Sequence, residues 1–417
     1  FWGYVLVSFV LIEITVLSVT LYLHRDAAHR ALDLHPAIRH FCRFWLWFTT
    51  GITTREWVAI HRKHHARCET PDDPHSPQVF GLKKVLLEGA ELYKDEAKNQ
   101  ETLEKFGRGC PDDWMERNVY MAGKAYYGIA LMVVTWLILF GVPGIIMIAV
   151  QLVSQPLLAA GIINGVGHHT GYRNFECGDA SRNVVPWGVF LGGEELHNNH
   201  HAFPSSAKFS IRPWEFDIGW AVARVLSWVG LAKIRRVAPK PEVKPGRSID
   251  LETARAVIVN RMHVLRNYTR SVTIPVMKRE MGRLKERGMN LSWRKRRMVI
   301  RNPMLLDDSS KARVREVLNS SQALKTVDEY RQRLQAIWEG AAVSNDRLVA
   351  QLKEWCQQAE ASGERVLQDF ARSLRGYTMP AATACPDPKM HDPAKAPHPR
   401  GFFLVYRATP GSARSPQ

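Results

Sequence analysis

The sequence predicts an all-α fold: integral membrane helices, a histidine-rich cap on their cytoplasmic side, and a helical cytoplasmic extension. Three observations carry this reading. Long apolar runs recur between residues 1 and 166, histidines gather at the ends of those runs, and beyond about residue 237 the runs give way to charged segments of helical period. A length of 417 residues implies two or three units.

Residues 1–23, FWGYVLVSFVLIEITVLSVTLYL, are long enough to cross a bilayer, although Glu13 interrupts them. They lack the basic leader and small-residue cleavage site of a signal peptide. The chain opens on Phe1 rather than Met, as expected of a sequence missing its true start. Residues 126–141 and 144–166 read as two further spans, joined into a membrane hairpin by the turn-forming Gly141-Val142-Pro143. The loop at the tip of this hairpin is uncharged, whereas the histidine-bearing segments are rich in Lys and Arg, which puts the histidines on the cytoplasmic side.

Parity then constrains residues 38–57. A single crossing there would separate HRDAAH from HRKHH, so this Trp-rich, Arg-flanked segment is expected to lie along the interface, or to dip in and return. Residues 212–236 read as a second interfacial helix, started by Pro213, with Ile218, Ala221, Val222, Val225 and Val229 on its more apolar face. Residues 1–236 thus form the membrane domain, and 237–249, containing PKPEVKPG, a linker. A helical cytoplasmic extension is expected over 250–377, with helices at 250–268, 326–338 and from the cap Ser344 onward. The Pro- and Ala-rich residues 378–417 are expected to be disordered.

A net charge of +17 raises nucleic acid as a partner. Yet the basic residues match no nucleic-acid motif, and even the run Trp293-Arg294-Lys295-Arg296-Arg297 reads first as a solvated loop or a lipid contact. The expected partner is therefore the membrane, with no nucleic acid. The six cysteines show no C-x-x-C spacing, so no disulfide framework or cysteine-ligated metal site is indicated.

Nine of the sixteen histidines form the pattern that carries chemistry: His24 and His29; His61, His64 and His65; His197, His200 and His201; and His168. His61, His64 and His65 stand at i, i+3 and i+4, which places their rings on one helix face, and His197, His200 and His201 repeat the spacing. His24 and His29 differ, since five α-helical residues rotate the second ring roughly 140° from the first. Either the helix ends inside that box or the two rings address different metals. Both suit a dinuclear centre. Neutral imidazole accepts zinc, iron, copper or nickel, and the ligand count alone does not choose among them. Asp26, Glu56, Asp72, Asp73, Asp179, Glu194 and Glu195 are near enough in sequence to orient the rings. His35, His40, His75, His169, His263, His391 and His398 read as ordinary surface or interfacial residues.

The segments YLHRDAAHRAL, EWVAIHRKHHARCETPDDPHSP, NGVGHHTGYRNFE, SRNVVPWGVFLGGEELHNNHHAFPSSAKFS and WEFDIGW resemble the membrane-bound fatty acid desaturases, particularly the bacterial delta-9 enzymes, over residues 1–236. The resemblance implies that the eight box histidines and His168 hold two ferrous irons, that Asn164 contacts one of them through water, and that no catalytic residue is separate from this set. It implies that Trp57 lines an acyl tunnel formed within residues 1–60 and 126–166. The implied reaction inserts a cis double bond, at the delta-9 position, into the acyl chain of a phospholipid or acyl-CoA, with O2 as co-substrate, in unsaturated fatty acid biosynthesis. Two electrons come from outside, from a ferredoxin or rubredoxin with its NAD(P)H reductase, because the chain carries no haem, flavin or iron–sulfur motif. The implied location is the bacterial inner membrane. A related di-iron hydroxylase of alkyl chains or lipids, or a carotenoid-modifying oxygenase, would need the same ligands. A metal transporter ranks lower, because transporters place polar ligands mid-membrane.

Overall fold

A computed structural model describes residues 1–120, 124–286, 292–339 and 344–379, and residues 1–379 pack as one compact unit. The fold is all-α, with three two-stranded ribbons as its only sheet among the described residues. The segment expected to be disordered begins with Thr378, which is paired in a strand, and from residue 380 lies outside the described residues.

Two helices are long and apolar enough to cross a membrane, Trp2–Ala28 and Val142–His168. At 27 residues each, they are about 40 Å long. Ala125–Phe140 is a shorter apolar helix joined to the second of these through Gly141, whose φ of +60° makes the turn that Pro143 follows. Phe1, Trp2, Leu6, Ile138, Leu139 and Ile146 are all exposed, a distribution that suits lipid and not water.

The segment 38–57 is a helix, a turn and a second helix. The first, α2 (Pro36–Thr50), is capped by the His35 ring and ends at Gly51 with φ +68°. It packs against the first long helix and against both arms of the hairpin. Gly128 permits the closest approach, because a Cβ there would collide with the Trp47 carbonyl. The chain then reverses into α3 (Thr54–Arg67), which carries HRKHH.

The helix expected from Pro213 begins at Ile218 and ends at Trp228. Its start is set by Asp217, whose Oδ1 accepts the Trp220 amide at 2.9 Å while also receiving Arg25 at 2.9 Å. Within the expected linker, Glu242–Val243 forms a strand that pairs with Tyr377–Thr378. The helix expected over 250–268 is two, Leu251–Val259 and Arg261–Tyr268, broken at Asn260. The helices expected over 326–338 and from Ser344 run from Gln322 to Glu339 and from Asn345 to Ala361. These pack round Tyr268, Leu324, Leu334, Leu352, Trp355 and Leu374, a core separate from that of the N-terminal helices.

Candidate metal centre

The nine histidines converge. His24, His29, His61, His65 and His200 form one group and His64, His168, His197 and His201 a second, with the ligand nitrogens of each group all within 4.8 Å of one another. Each H-x-x-H-H box is split between the two. The i and i+4 rings, His61 with His65 and His197 with His201, share a group, and the i+3 ring, His64 or His200, crosses to the other. On a helix, i and i+4 lie one above the other, while i+3 falls on the neighbouring row, so one turn of helix serves two centres.

His24 and His29 are united by a change of winding. Residues Val19–Ala28 continue the first helix with π-type turns, and the His29 amide donates to the His24 carbonyl, five residues back, at 3.1 Å. This i→i+5 register reduces the angular offset expected of an α-helix and puts both rings in the first group. The helix also ends there, with His29 as its cap.

A carboxylate orients several rings. His24 Nδ1 donates to Glu194 at 2.7 Å, His64 Nδ1 to Asp73 at 3.0 Å, His168 Nδ1 to Glu69 at 2.9 Å and His201 Nδ1 to Asp179 at 3.0 Å. Three of these carboxylates were among the sequence candidates. Asp26 instead receives Arg39, Glu195 accepts the Leu191 and Gly193 amides, and Glu56 lines the neighbouring cavity. Glu69 had no sequence signal. It lies just past α3 with φ +63° and is fixed by Ser76 and the Ala180 amide. A side chain in that backbone region costs about 1–3 kcal/mol, which surrounding bonds must offset.

His75 and His263, read from sequence as surface or interfacial residues, are both 7 % exposed. His75 stacks on His64 with ring centroids 4.5 Å apart, and His263 stacks on Phe203 at 5.1 Å. Both are buried by chain distant in sequence. Asn198 and Asn199, inside the third box, also had no assigned part. Asn198 accepts the Asn174 and Phe175 amides, and Asn199 bonds Asn183, Phe209 and Glu215, so they brace the box from behind.

Burial first, and neighbouring histidines second, hold His29, His61, His65, His197 and His200 well below the ordinary imidazole pKa, which keeps their lone pairs free. Burial also takes His201 down to about 4 against the pull of Asp179. His64 is the exception: burial lowers it, but Asp73, with Glu69 and Asp179 beyond, together more than offset that and raise it. With Nδ1 of each ring turned to a carboxylate, His64 and His168 bring their Nε2 atoms to face each other at 3.2 Å. His24 Nε2 meets His200 Nε2 at 3.0 Å, and His201 Nε2 is buried with no hydrogen-bond partner among the described residues. Opposed lone pairs repel unless a cation lies between them. The donor set fits two transition-metal ions.

A cavity of about 660 Å³ adjoins the centre, lined by His24, His61 and His197 at the metal groups and by exposed Lys94, Lys98 and Tyr126 at the surface. Trp57 stacks on His61 at 4.8 Å and walls this cavity. Asn164 lines it too, in the π-type segment Pro156–Gly165, and among the described contacts bonds none of the histidines.

Residues 1–224 match the family model for fatty acid desaturases, and residues 251–385 match one described as a transposase. The chain is 29 % identical over 238 residues to delta-9 acyl-lipid desaturase 1 of Arabidopsis thaliana, covering 55 % of this chain and 74 % of that protein. It is 30 % identical over 259 residues to the icosanoyl-CoA 5-desaturase of Limnanthes douglasii, covering 58 % and 69 %. To the sn-1 stearoyl-lipid 9-desaturase of Anabaena variabilis it is 28 % identical over 246 residues, covering 58 % and 87 %.

Proposed function

We propose, for a chain that belongs to the fatty acid desaturase family and is an oxidoreductase of that kind, that it uses O2 to insert a cis double bond into the acyl chain of a phospholipid or acyl-CoA, at the delta-9 position, for unsaturated fatty acid biosynthesis. The observation that carries this is the division of nine histidines into two groups beside one cavity. His24, His29, His61, His65 and His200 would hold one iron, and His64, His168, His197 and His201 the other, with Asn164, in the wall of the adjoining cavity, acting through water. Two ferrous irons, when bound, supply the reduction of O2 to water and the oxidising power that takes hydrogen from two adjacent methylenes.

The chain's own residues do the rest. Glu194, Asp73, Glu69 and Asp179 fix the tautomer and aim of their rings. Trp57, Ile60, Ile129 and Ile163 make a dry wall that holds an unactivated chain against the centre and excludes water. Lys94 and Lys98, exposed at the cavity, suit an anionic head group. Relatives named for acyl lipids and for acyl-CoA substrates support both head-group classes equally.

Residues 1–236 form the membrane domain in this reading, 237–249 the linker and 250–377 the extension. The site faces the cytoplasm of a bacterial inner membrane, as the basic histidine-bearing segments favour. Electrons arrive from a ferredoxin or rubredoxin with its NAD(P)H reductase. Gas chromatography of fatty acids from cells with and without the gene, with derivatisation to locate the double bond, tests the proposal. A new cis alkene that disappears in His64→Ala and His197→Ala supports it, and hydroxylated products without a new alkene overturn it.

A further inference from the structure

The third histidine box sits on a helix too short to hold itself. His197–Ala202 spans 6 residues, and the next residue, Phe203, leaves helical geometry at φ −137° and ψ 69°. An isolated helix needs about 12–15 residues to be even marginally stable in water, so the aim of His197, His200 and His201 depends on what packs around the box. Asn198 supplies one support: its Oδ1 accepts the Phe175 amide at 2.9 Å, and its Nδ2 donates to the Phe175 carbonyl at 3.0 Å. Phe203 supplies another, because its amide donates to the Asn199 and His200 carbonyls at 3.1 and 3.0 Å.

The rings of Phe175 and Phe203 meet edge to face at 5.2 Å, and a third ring closes the cluster from the extension. His263 stands edge-on to Phe175 at 5.3 Å and lies stacked on Phe203 at 5.1 Å, with 27° between the planes. Met262 packs into the same small core, which also takes in Cys177 and Ala202, the last residue of the box helix. The other side of helix Arg261–Tyr268 is fixed. Val264 and Tyr268 are fully buried in the extension's core, and the Tyr268 hydroxyl donates to the Val327 carbonyl at 2.6 Å. One short helix therefore has its far side in a packed core and its near side on the two aromatic rings that brace the box. It falls in the segment matched to a transposase model, whereas Phe175 and Phe203 fall in the segment matched to desaturases, so the contact joins parts of the chain that resemble two different families.

We propose that helix Arg261–Tyr268 is a positioning clamp for the third histidine box: Met262 and His263 hold Phe175 and Phe203, and through them set the metal-binding arrangement of His197, His200 and His201. Because His200 belongs to the first group and His197 and His201 to the second, the clamp acts on both. It gives the extension a part in the desaturase reading, on which this inference rests. Residues that aim ligands without touching the metal typically govern affinity about 10- to 100-fold, and a ring cluster behind a six-residue helix acts in that way.

The test uses the full chain in lipid nanodiscs loaded with cobalt(II), whose visible absorption reports ligand geometry and whose release to a chelator gives the rate of metal loss. His263→Ala is expected to speed release about tenfold or more and to alter the visible bands. His263→Phe, which returns a planar ring to the same place, is expected to restore both. Met262→Ala should give a smaller change in the same direction. Tyr268→Phe removes the bond to Val327 inside the extension and leaves the ring cluster intact, so it should lower the thermal midpoint without changing bands or release. Parent-like release and bands in both His263→Ala and Met262→Ala overturn the proposal. So does a His263→Phe protein that loses cobalt as fast as His263→Ala, or a Tyr268→Phe protein that does, since the first denies the ring's role and the second marks a general loss of stability. Metal loss is read without turnover, so a parent that holds two cobalt ions but, with iron, makes no alkene fails the desaturase reading alone, and a parent that takes up no metal overturns both.

Discussion

His64 and His168 face each other Nε2 to Nε2 across 3.2 Å, and each gives its other ring nitrogen to a buried or half-buried carboxylate, Asp73 and Glu69. The two come from chain segments 104 residues apart, so this opposition is made by the fold and not by a local motif. Both nitrogens belong to the second group of four rings, whose ligand atoms lie within 4.8 Å of one another and could share one cation. Replacing His168 by Ala removes one of four rings from the second group and none from the first. Iron per chain is expected to fall from about two to about one while the protein stays in the membrane. Elemental analysis of the purified protein measures this, and two retained irons would contradict the assignment.

Glu69 and Asp179 act on the same group through His168 and His201, at 2.9 and 3.0 Å. Glu69→Gln and Asp179→Asn keep side-chain volume but offer an amide where the ring needs a strong acceptor. Each is expected to weaken iron binding about 10- to 100-fold. Chelator competition gives the affinity and circular dichroism the fold. Equal chelator resistance in variant and parent would show that these carboxylates do not tune the site.

What the sequence made legible follows from where its periods apply. The boxes at i, i+3 and i+4 lie on α-helices, and their rings meet as that spacing requires. His24 and His29 do not obey it, because π-type winding follows from tertiary packing and has no residue signature. Glu69 was hidden for a similar reason: it orients His168 from a loop with φ +63°, where no helical or strand period exists. Asp217 displaced the expected helix start from Pro213 because it serves Arg25 as well as the cap. His75 and His263 are buried by remote elements, which local composition does not report.

The cavity wall supplies a steric prediction. Ala159 and Ala160 line it, and Ala160 packs so tightly on Gly89 that a Cβ there would stand 2.8 Å from its methyl. Ala159→Phe fills part of the 660 Å³ available and is expected to shift conversion toward shorter acyl chains with iron content unchanged. Product profiles from a mixture of saturated chain lengths measure the shift. An unaltered profile would remove this cavity as the acyl site.

His263 packs helix Arg261–Tyr268 against Phe175 and Phe203 and sets an acid limit on that junction. Burial first, with Arg212 acting in the same direction, lowers its pKa from 6.5 to about 4, while a backbone acceptor at Pro239 opposes. The unfolded chain takes up this proton as pH falls below 6.5, but the folded chain does so only near 4. Between those values the unfolded state binds more protons, so stability rises with pH and is lost on acidification. By pH 5 the loss from this residue alone is about 2 kcal/mol. His263→Phe keeps an aromatic ring against Phe203 and removes the titration. The fall in thermal midpoint between pH 7 and pH 5 is therefore expected to be smaller in the variant than in the parent. Identical falls would mean that the imidazole is protonated in place, and that the stacked contact at 5.1 Å does not exclude the charged form.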